Sequence, residues 1–143
     1  MIATWKADYC TGHIAVDGQH REIFRLVNQF SEAVATRRAR ALMRPVIDRL
    51  VSYVAEHFEE EERLMRRAGF PDRTAHAAAH AAFGAQVQEV ARAYQAGELV
   101  LPITLSQFML DWLDGHIKVS DQALVEWLDA NPGHAARALT VGR

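Results

Sequence analysis

The sequence predicts an all-α protein, folded as an antiparallel up-down-up-down four-helix bundle with an N-terminal arm. Apolar residues recur at helical spacing over four long segments, and no segment alternates as a half-buried strand does. Glycine and proline are scarce and occur mainly between these segments. Four long helices joined by short connections favour a bundle. The 143 residues fit a single domain, residues 1–143.

Capping residues and chain breaks place the helices. Asp17 is the predicted N-cap of the first helix, and Pro45 fits the first turn of the second. Gly69 follows two arginines and is expected to end the second helix. Pro102 fits the first turn of the fourth. We therefore expect helices at about residues 18–36, 41–68, 73–95 and 102–130.

The two ends of the chain lack this regular pattern. Residues 1–16 show no sustained periodicity and are predicted to form an arm, with Trp5 and Tyr9 packing onto the bundle. The tail, residues 131–143, begins at an Asn-Pro-Gly break and is expected to be frayed.

Composition argues against several classes of protein. The formal net charge is −2 with no sustained basic stretch, so nucleic-acid binding is not expected. No apolar run approaches the roughly 20 residues that cross a bilayer, so no membrane insertion is expected. The single cysteine, Cys10, fits a reducing compartment, and the N-terminus does not resemble a signal peptide. We expect a cytoplasmic location.

Polar residues interrupt the apolar stripes of all four helices. His57 and Glu61 continue the stripe of the second helix, and His76 and His80 lie one turn apart on the third. The complete set is His20, His57, Glu61, His76, His80, His116 and Asp121. One buried polar group without a partner costs about 1–3 kcal/mol. Seven such groups therefore predict a shared metal centre.

The spacing of the last two residues leaves one structural question open. Asp121 follows His116 by five residues, which is about 140° around an ideal α-helix. Both side chains reach one site if Asp121 approaches from the flank or if the helix carries a π-bulge. The sequence does not distinguish these alternatives.

The donor set favours iron over zinc. Seven ligands exceed what a tetrahedral zinc ion uses, and nitrogen with carboxylate oxygen but no thiolate suits iron. Two carboxylates can also bridge two cations, whose charge offsets the cost of burying them.

The order and spacing of these residues resemble a known signature. A lone histidine, an H-x-x-x-E pair, an H-x-x-x-H pair and an H-x-x-x-x-D pair are similar to the hemerythrin pattern. The N-terminal Trp5 and the VDGQH that ends at His20 resemble bacteriohemerythrins, the single-domain prokaryotic branch.

The resemblance implies a non-haem di-iron centre and a function. Three histidines, His76, His80 and His116, would hold one iron, and two, His20 and His57, the other. Glu61 and Asp121 would bridge both, together with an oxo or hydroxo group. The iron with two histidines is one ligand short, and O2 would bind there reversibly. The implied role is O2 transport, storage or delivery to an oxygen-consuming partner protein, without enzymatic turnover.

Apolar residues near the ligands are candidates for the wall of an O2 pocket. They are Ile23, Phe58, Trp112 and Leu113, and each fits ordinary core packing equally well. Two other function classes stay open: an oxygen or redox sensor, and a di-iron redox enzyme acting on peroxide or nitric oxide. We interpret Glu59, Glu60 and Glu62 as a solvated face and His13 and His134 as ordinary surface residues.

Overall fold

The computed structural model describes residues 7–140, without the side chains of residue 8 and residues 137–140, and this part of the chain is helical with no strand. Three bundle helices are α1 (Ile14–Ala35), α2 (Met43–Ala68) and α3 (Arg73–Gln95). The fourth is continuous and has three parts: α4 (Pro102–Trp112), a π-helical segment (Leu113–Asp121) and α5 (Gln122–Ala130). Short 3-10 helices at Ala7–Tyr9 and Ala39–Leu42 precede α1 and α2, and α6 (Pro132–Thr140) ends the described chain. The predicted all-α bundle is confirmed.

Short connections determine how the helices pack. α1 packs against α2 and α4, and α2 packs against α3. The connections are too short to return the chain along the bundle, so successive helices run antiparallel. Gly69 ends α2 in the left-handed conformation, at φ 73°, where glycine avoids the steric penalty of a side chain. No helix in residues 7–140 is long and apolar enough to cross a membrane.

The start of α1 differs from the sequence prediction. The helix begins at Ile14, and the Nδ1 atom of His13 accepts from the Val16 amide 3.4 Å away, so His13 is the N-cap. Asp17 lies inside the first turn instead. Its carboxylate accepts hydrogen bonds from the Thr11 amide and hydroxyl and from the Gly12 amide, at 2.7, 2.9 and 3.1 Å. Asp17 therefore fastens the preceding loop to α1, a role that a helix-cap pattern does not reveal.

The arm and the tail are partly ordered by packing. The Tyr9 ring lies 5.8 Å from that of Phe24, whereas Trp5 lies outside the described residues. The prediction of a frayed tail is wrong for the described part, because α6 packs against α2. His134, interpreted as an ordinary surface residue, donates from Nδ1 to the Ala68 carbonyl at 3.0 Å. Ala68 is the last residue of α2, whose terminal carbonyls have no partner within the helix.

Candidate metal centre

The seven polar residues singled out from the sequence meet at one place inside the bundle. Each of the four bundle helices contributes at least one of them, and none is more than 6% exposed. On α2, Glu61 lies between Phe58, which belongs to a large apolar cluster, and Leu64, which belongs to a smaller one. Apolar side chains therefore cover the polar cluster at both ends. This arrangement excludes water from the site.

The two oxygen atoms of Glu61 face different histidines. Oε1 lies 2.6 Å from His76 Nε2, 3.1 Å from His80 Nε2 and 3.4 Å from His116 Nε2. Oε2 lies 3.2 Å from His20 Nε2 and 3.4 Å from His57 Nε2. One carboxylate thus connects a group of three imidazoles with a group of two.

Asp121 repeats the same division. Its Oδ1 atom lies 2.9 Å from His76 Nε2 and 3.0 Å from His116 Nε2. Its Oδ2 atom lies 2.8 Å from His20 Nε2 and 3.8 Å from His57 Nε2. Both carboxylates therefore place His20 and His57 on one oxygen and His76 and His116 on the other, and His80 joins the second group through Glu61.

The π-helical segment explains how His116 and Asp121 share the site. In a π-helix the repeat is i to i+5, so the two residues lie about one turn apart on the same face. The segment Leu113–Asp121 contains both of them. Of the two alternatives left open by the sequence, the structure contains the π-helical one, extended over a whole segment.

Several polar atoms in the cluster have no hydrogen-bond partner among the described residues. They include both ring nitrogens of His57 and both carboxylate oxygens of Asp121. The contacts of the Asp121 oxygens with histidine are ion-pair contacts, at 2.8 Å to His20 Nε2 and 2.9 Å to His76 Nε2. Unpaired polar atoms at this depth are costly. Ring nitrogens and carboxylate oxygens that converge on one buried place fit a cation held between them.

Burial and the two carboxylates shift the pKa values of the cluster residues in different directions. Burial lowers the pKa of His20, but the carboxylates of Asp121 and Glu61 outweigh it and raise that pKa to about 10. The same competition raises the pKa of His76 to about 9. For His57 burial prevails and lowers the pKa to about 3. Burial opposes ionisation of Glu61 too, yet the surrounding imidazoles hold the pKa of this carboxyl well below its usual value.

Glu62 departs from its interpretation as part of a solvated face. His80 Nδ1 donates to Glu62 Oε2 at 2.9 Å, and the Glu62 side chain is 33% exposed. Glu59 does behave as expected and accepts from Arg63 at 3.0 Å. In the neutral ring the proton then lies on Nδ1. The Nε2 atom of His80 therefore carries a lone pair, and it faces the cluster. A carboxylate behind a metal-binding histidine commonly sets its tautomer and orientation in this way.

Aromatic rings cover the histidines on several sides. Phe58 stacks on His80 with ring centroids 3.9 Å apart, and Trp112 stacks on His116 at 3.8 Å. These two candidates for the O2 pocket therefore flank the group of three histidines, and the ring centroid of Phe58 also lies 5.7 Å from that of His57 in the group of two. Ile23 and Leu113, the other two candidates, are buried in the large apolar cluster.

Tyr53 is a neighbour of the site that the sequence reasoning missed. Its ring stacks on that of His57, with centroids 4.9 Å apart and planes at 8°. Burial and the charges of Asp121 and Glu61 raise the pKa of Tyr53 well above its usual value. A hydrogen bond from the Trp112 indole lowers this pKa, but by less. The four-residue spacing from Tyr53 to His57 placed them on one helix face, and this was the available signal.

Comparisons with known proteins agree with the site. The model of the hemerythrin HHE cation-binding domain matches residues 11–128. The chain belongs to the hemerythrin family. It is 35% identical to a bacteriohemerythrin of Stenotrophomonas maltophilia over 95% of this chain and 88% of that protein. A bacteriohemerythrin of Methylococcus capsulatus is 32% identical over 85% of this chain and 92% of that protein.

A solved hemerythrin structure extends the likeness to three dimensions. The crystal structure of wild-type hemerythrin has a TM-score of 0.75 and 31% sequence identity, and the match covers 88% of this chain and 97% of that one. The hemerythrin resemblance predicted from the sequence is confirmed. A hemerythrin domain with a buried cluster of histidine, glutamate and aspartate fits non-haem iron binding.

Proposed function

We propose that this hemerythrin domain holds two iron ions and binds O2 reversibly. One ion would be held by His76, His80 and His116 and the other by His20 and His57. Glu61 and Asp121 would bridge them, together with an oxo or hydroxo group. The observation that carries the proposal is the division of the histidines by the paired oxygens of Glu61 and Asp121.

The donor chemistry supports two cations rather than one. Five imidazoles and two carboxylates exceed the ligands of a single ion, and both carboxylates present one oxygen to each histidine group. Nitrogen and oxygen donors without thiolate favour iron. Two buried carboxylates also need positive charge close by, which two metal ions supply.

The smaller histidine group supports ligand binding at one of the ions. With two imidazoles against three, the ion at His20 and His57 would have one protein ligand fewer, which leaves a position for O2. When bound, the iron pair would supply two electrons and this open position. The protein contributes the dry surroundings, because the apolar clusters on both sides keep water away from the ligands.

The proposed role is O2 transport, storage or delivery to an oxygen-consuming partner, without catalytic turnover. Relatives named bacteriohemerythrin support it. A cytoplasmic location is proposed with it, supported by the presence of only one cysteine.

The visible spectrum of the iron-loaded protein, reduced without oxygen and then exposed to air, tests this proposal. We expect two iron ions per chain and a charge-transfer band that appears with O2 and disappears when O2 is removed. Immediate irreversible oxidation would favour a sensor or a redox enzyme, and rapid turnover of peroxide or nitric oxide would favour the enzyme. A chain that binds no iron would contradict the di-iron assignment.

A further inference from the structure

Tyr53 places a hydroxyl group beside the smaller histidine group. It lies on α2 one turn before His57, and the two rings are nearly parallel. A phenol is longer than an imidazole, so the hydroxyl reaches further from the helix axis than the ring nitrogens of His57. The side chain is only 7% exposed. The hydroxyl therefore lies inside the bundle at the level of the cluster.

The proton of this hydroxyl has no acceptor among the described residues. The indole nitrogen of Trp112, also buried, lies close enough to donate towards the phenol oxygen, which offsets part of the rise that burial causes in the pKa of Tyr53, but it cannot accept the hydroxyl proton. An unpartnered buried hydroxyl costs about 1–3 kcal/mol, and phenylalanine would fill the same space without this cost. An acceptor held at the site during function would offset this cost.

The positions of the two side chains show where such an acceptor would be. Tyr53 stacks on His57, and Trp112 stacks on His116. The centroids of these two histidine rings are 6.1 Å apart. The phenol of Tyr53 on α2 and the indole of Trp112 on α4 therefore approach each other, each beside one histidine of the cluster. An indole can only donate, and a phenol is neutral and donates at neutral pH.

We infer that Tyr53 donates a hydrogen bond to a small ligand held beside His57, and that Trp112 supports this donor. The ligand must carry an acceptor atom, as dioxygen and azide do. This inference rests on the proposed di-iron function and adds a residue that selects ligands by polarity. The pocket is then not uniformly apolar, because one side presents a donor.

Azide binding to the oxidised, iron-loaded protein tests the inference. Tyr53→Phe removes only the hydroxyl and keeps the stacked ring. Tyr94→Phe, on α3 and partly buried against the same apolar cluster, is the matched control. We expect azide to bind about tenfold more weakly to Tyr53→Phe, which is about 1.4 kcal/mol. Iron content should be unchanged in both variants, and azide affinity should be unchanged in Tyr94→Phe.

Deuterium oxide gives a test that needs no substitution. In the unaltered protein a vibration of bound azide should shift on transfer to D2O, and the shift should be smaller in Tyr53→Phe. Equal azide affinity in both variants, or no D2O shift in the unaltered protein, would overturn the inference while iron binding stands. Absence of iron from the unaltered protein would instead overturn the proposed function and this inference with it.

Discussion

Glu62 offers a sharp test of how the cluster is built, because it contacts His80 from outside. His80 Nδ1 donates to Glu62 Oε2 at 2.9 Å, which leaves the Nε2 atom of His80 free to bind a metal. Glu62→Leu removes the acceptor without touching a proposed ligand. His80 would then lose its fixed tautomer and part of its orientation.

The size of the effect follows from the exposure of this contact. A hydrogen bond to a charged group contributes about 1.5–3 kcal/mol. Solvent reaches Glu62, which is 33% exposed, so the lower end of that range applies. A loss of about 1.5 kcal/mol weakens iron(II) binding about tenfold. Glu62→Gln keeps an acceptor oxygen and should lose less.

Anaerobic competition with a coloured iron(II) chelator measures this affinity. Glu59→Leu is the matched control, since Glu59 lies on the same helix but bonds to Arg63 rather than to the cluster. We expect Glu59→Leu to retain the original affinity. If Glu62→Leu and Glu59→Leu bound iron equally well, the contact between Glu62 and His80 would have no role in metal binding.

Four further perturbations test separate parts of the structure. In metal-free protein at pH 7.5, His20 and His76, with pKa values of about 10 and 9, carry protons that iron must displace. Iron loading should therefore release at least two protons per chain, and water that forms the proposed oxo or hydroxo bridge would add to this number. Calorimetry in buffers of different ionisation enthalpy measures the release. Because both pKa values lie above the ordinary 6.5, their stabilisation of the metal-free fold is complete below pH 6.5. This stabilisation should decline as the pH rises through the folded-state pKa values of about 9 for His76 and about 10 for His20. Urea unfolding at several pH values measures the decline. Leu113 is 0% exposed, so Leu113→Ala should lower the free energy of unfolding by about 2–5 kcal/mol, measured with urea. An unchanged autoxidation rate in this variant would exclude Leu113 from the ligand pocket. Asp17→Ala removes an acceptor of three hydrogen bonds. It should lower the free energy of unfolding by about 1–3 kcal/mol, measured by thermal unfolding.

The periodicity of single helices predicts much of the site. His57 and Glu61 continue an apolar stripe, and His76 and His80 begin another, so each pair had to face the core. The structure places all four in the buried cluster. A helix that buries its apolar stripe buries whatever polar residues lie on it, which is why this inference needs no tertiary information.

Contacts between helices cannot be predicted from the periodicity of a single helix. Glu62 lies next to Glu61 in the chain and points away from the centre of the stripe, yet it reaches His80 on α3. The pattern of α2 alone contains no information about the position of α3. The prediction of Asp17 as a cap was wrong for a related reason, since a residue type that favours helix starts does not show which turn it occupies.

The π-helical conformation of the fourth helix could not be predicted from the sequence for another reason. The five-residue spacing of His116 and Asp121 is unfavourable for an α-helix, and this conflict was visible in the sequence. Its resolution depends on whether the cluster stabilises a π-helical segment enough to offset the poorer backbone geometry. Both residues are almost fully buried in contact with the same histidines. Side-chain packing across the bundle therefore decides the backbone conformation here.

The side chains of the cluster balance their own charges. Two ionised carboxylates at this depth would repel each other and destabilise the fold without positive charge. His20 and His76 carry that charge as protons, one facing each of the two groups of carboxylate oxygens. His57, with its lowered pKa, stays neutral and keeps its nitrogen available. The protons on His20 and His76 therefore take the electrostatic place of two positive ions beside the carboxylates.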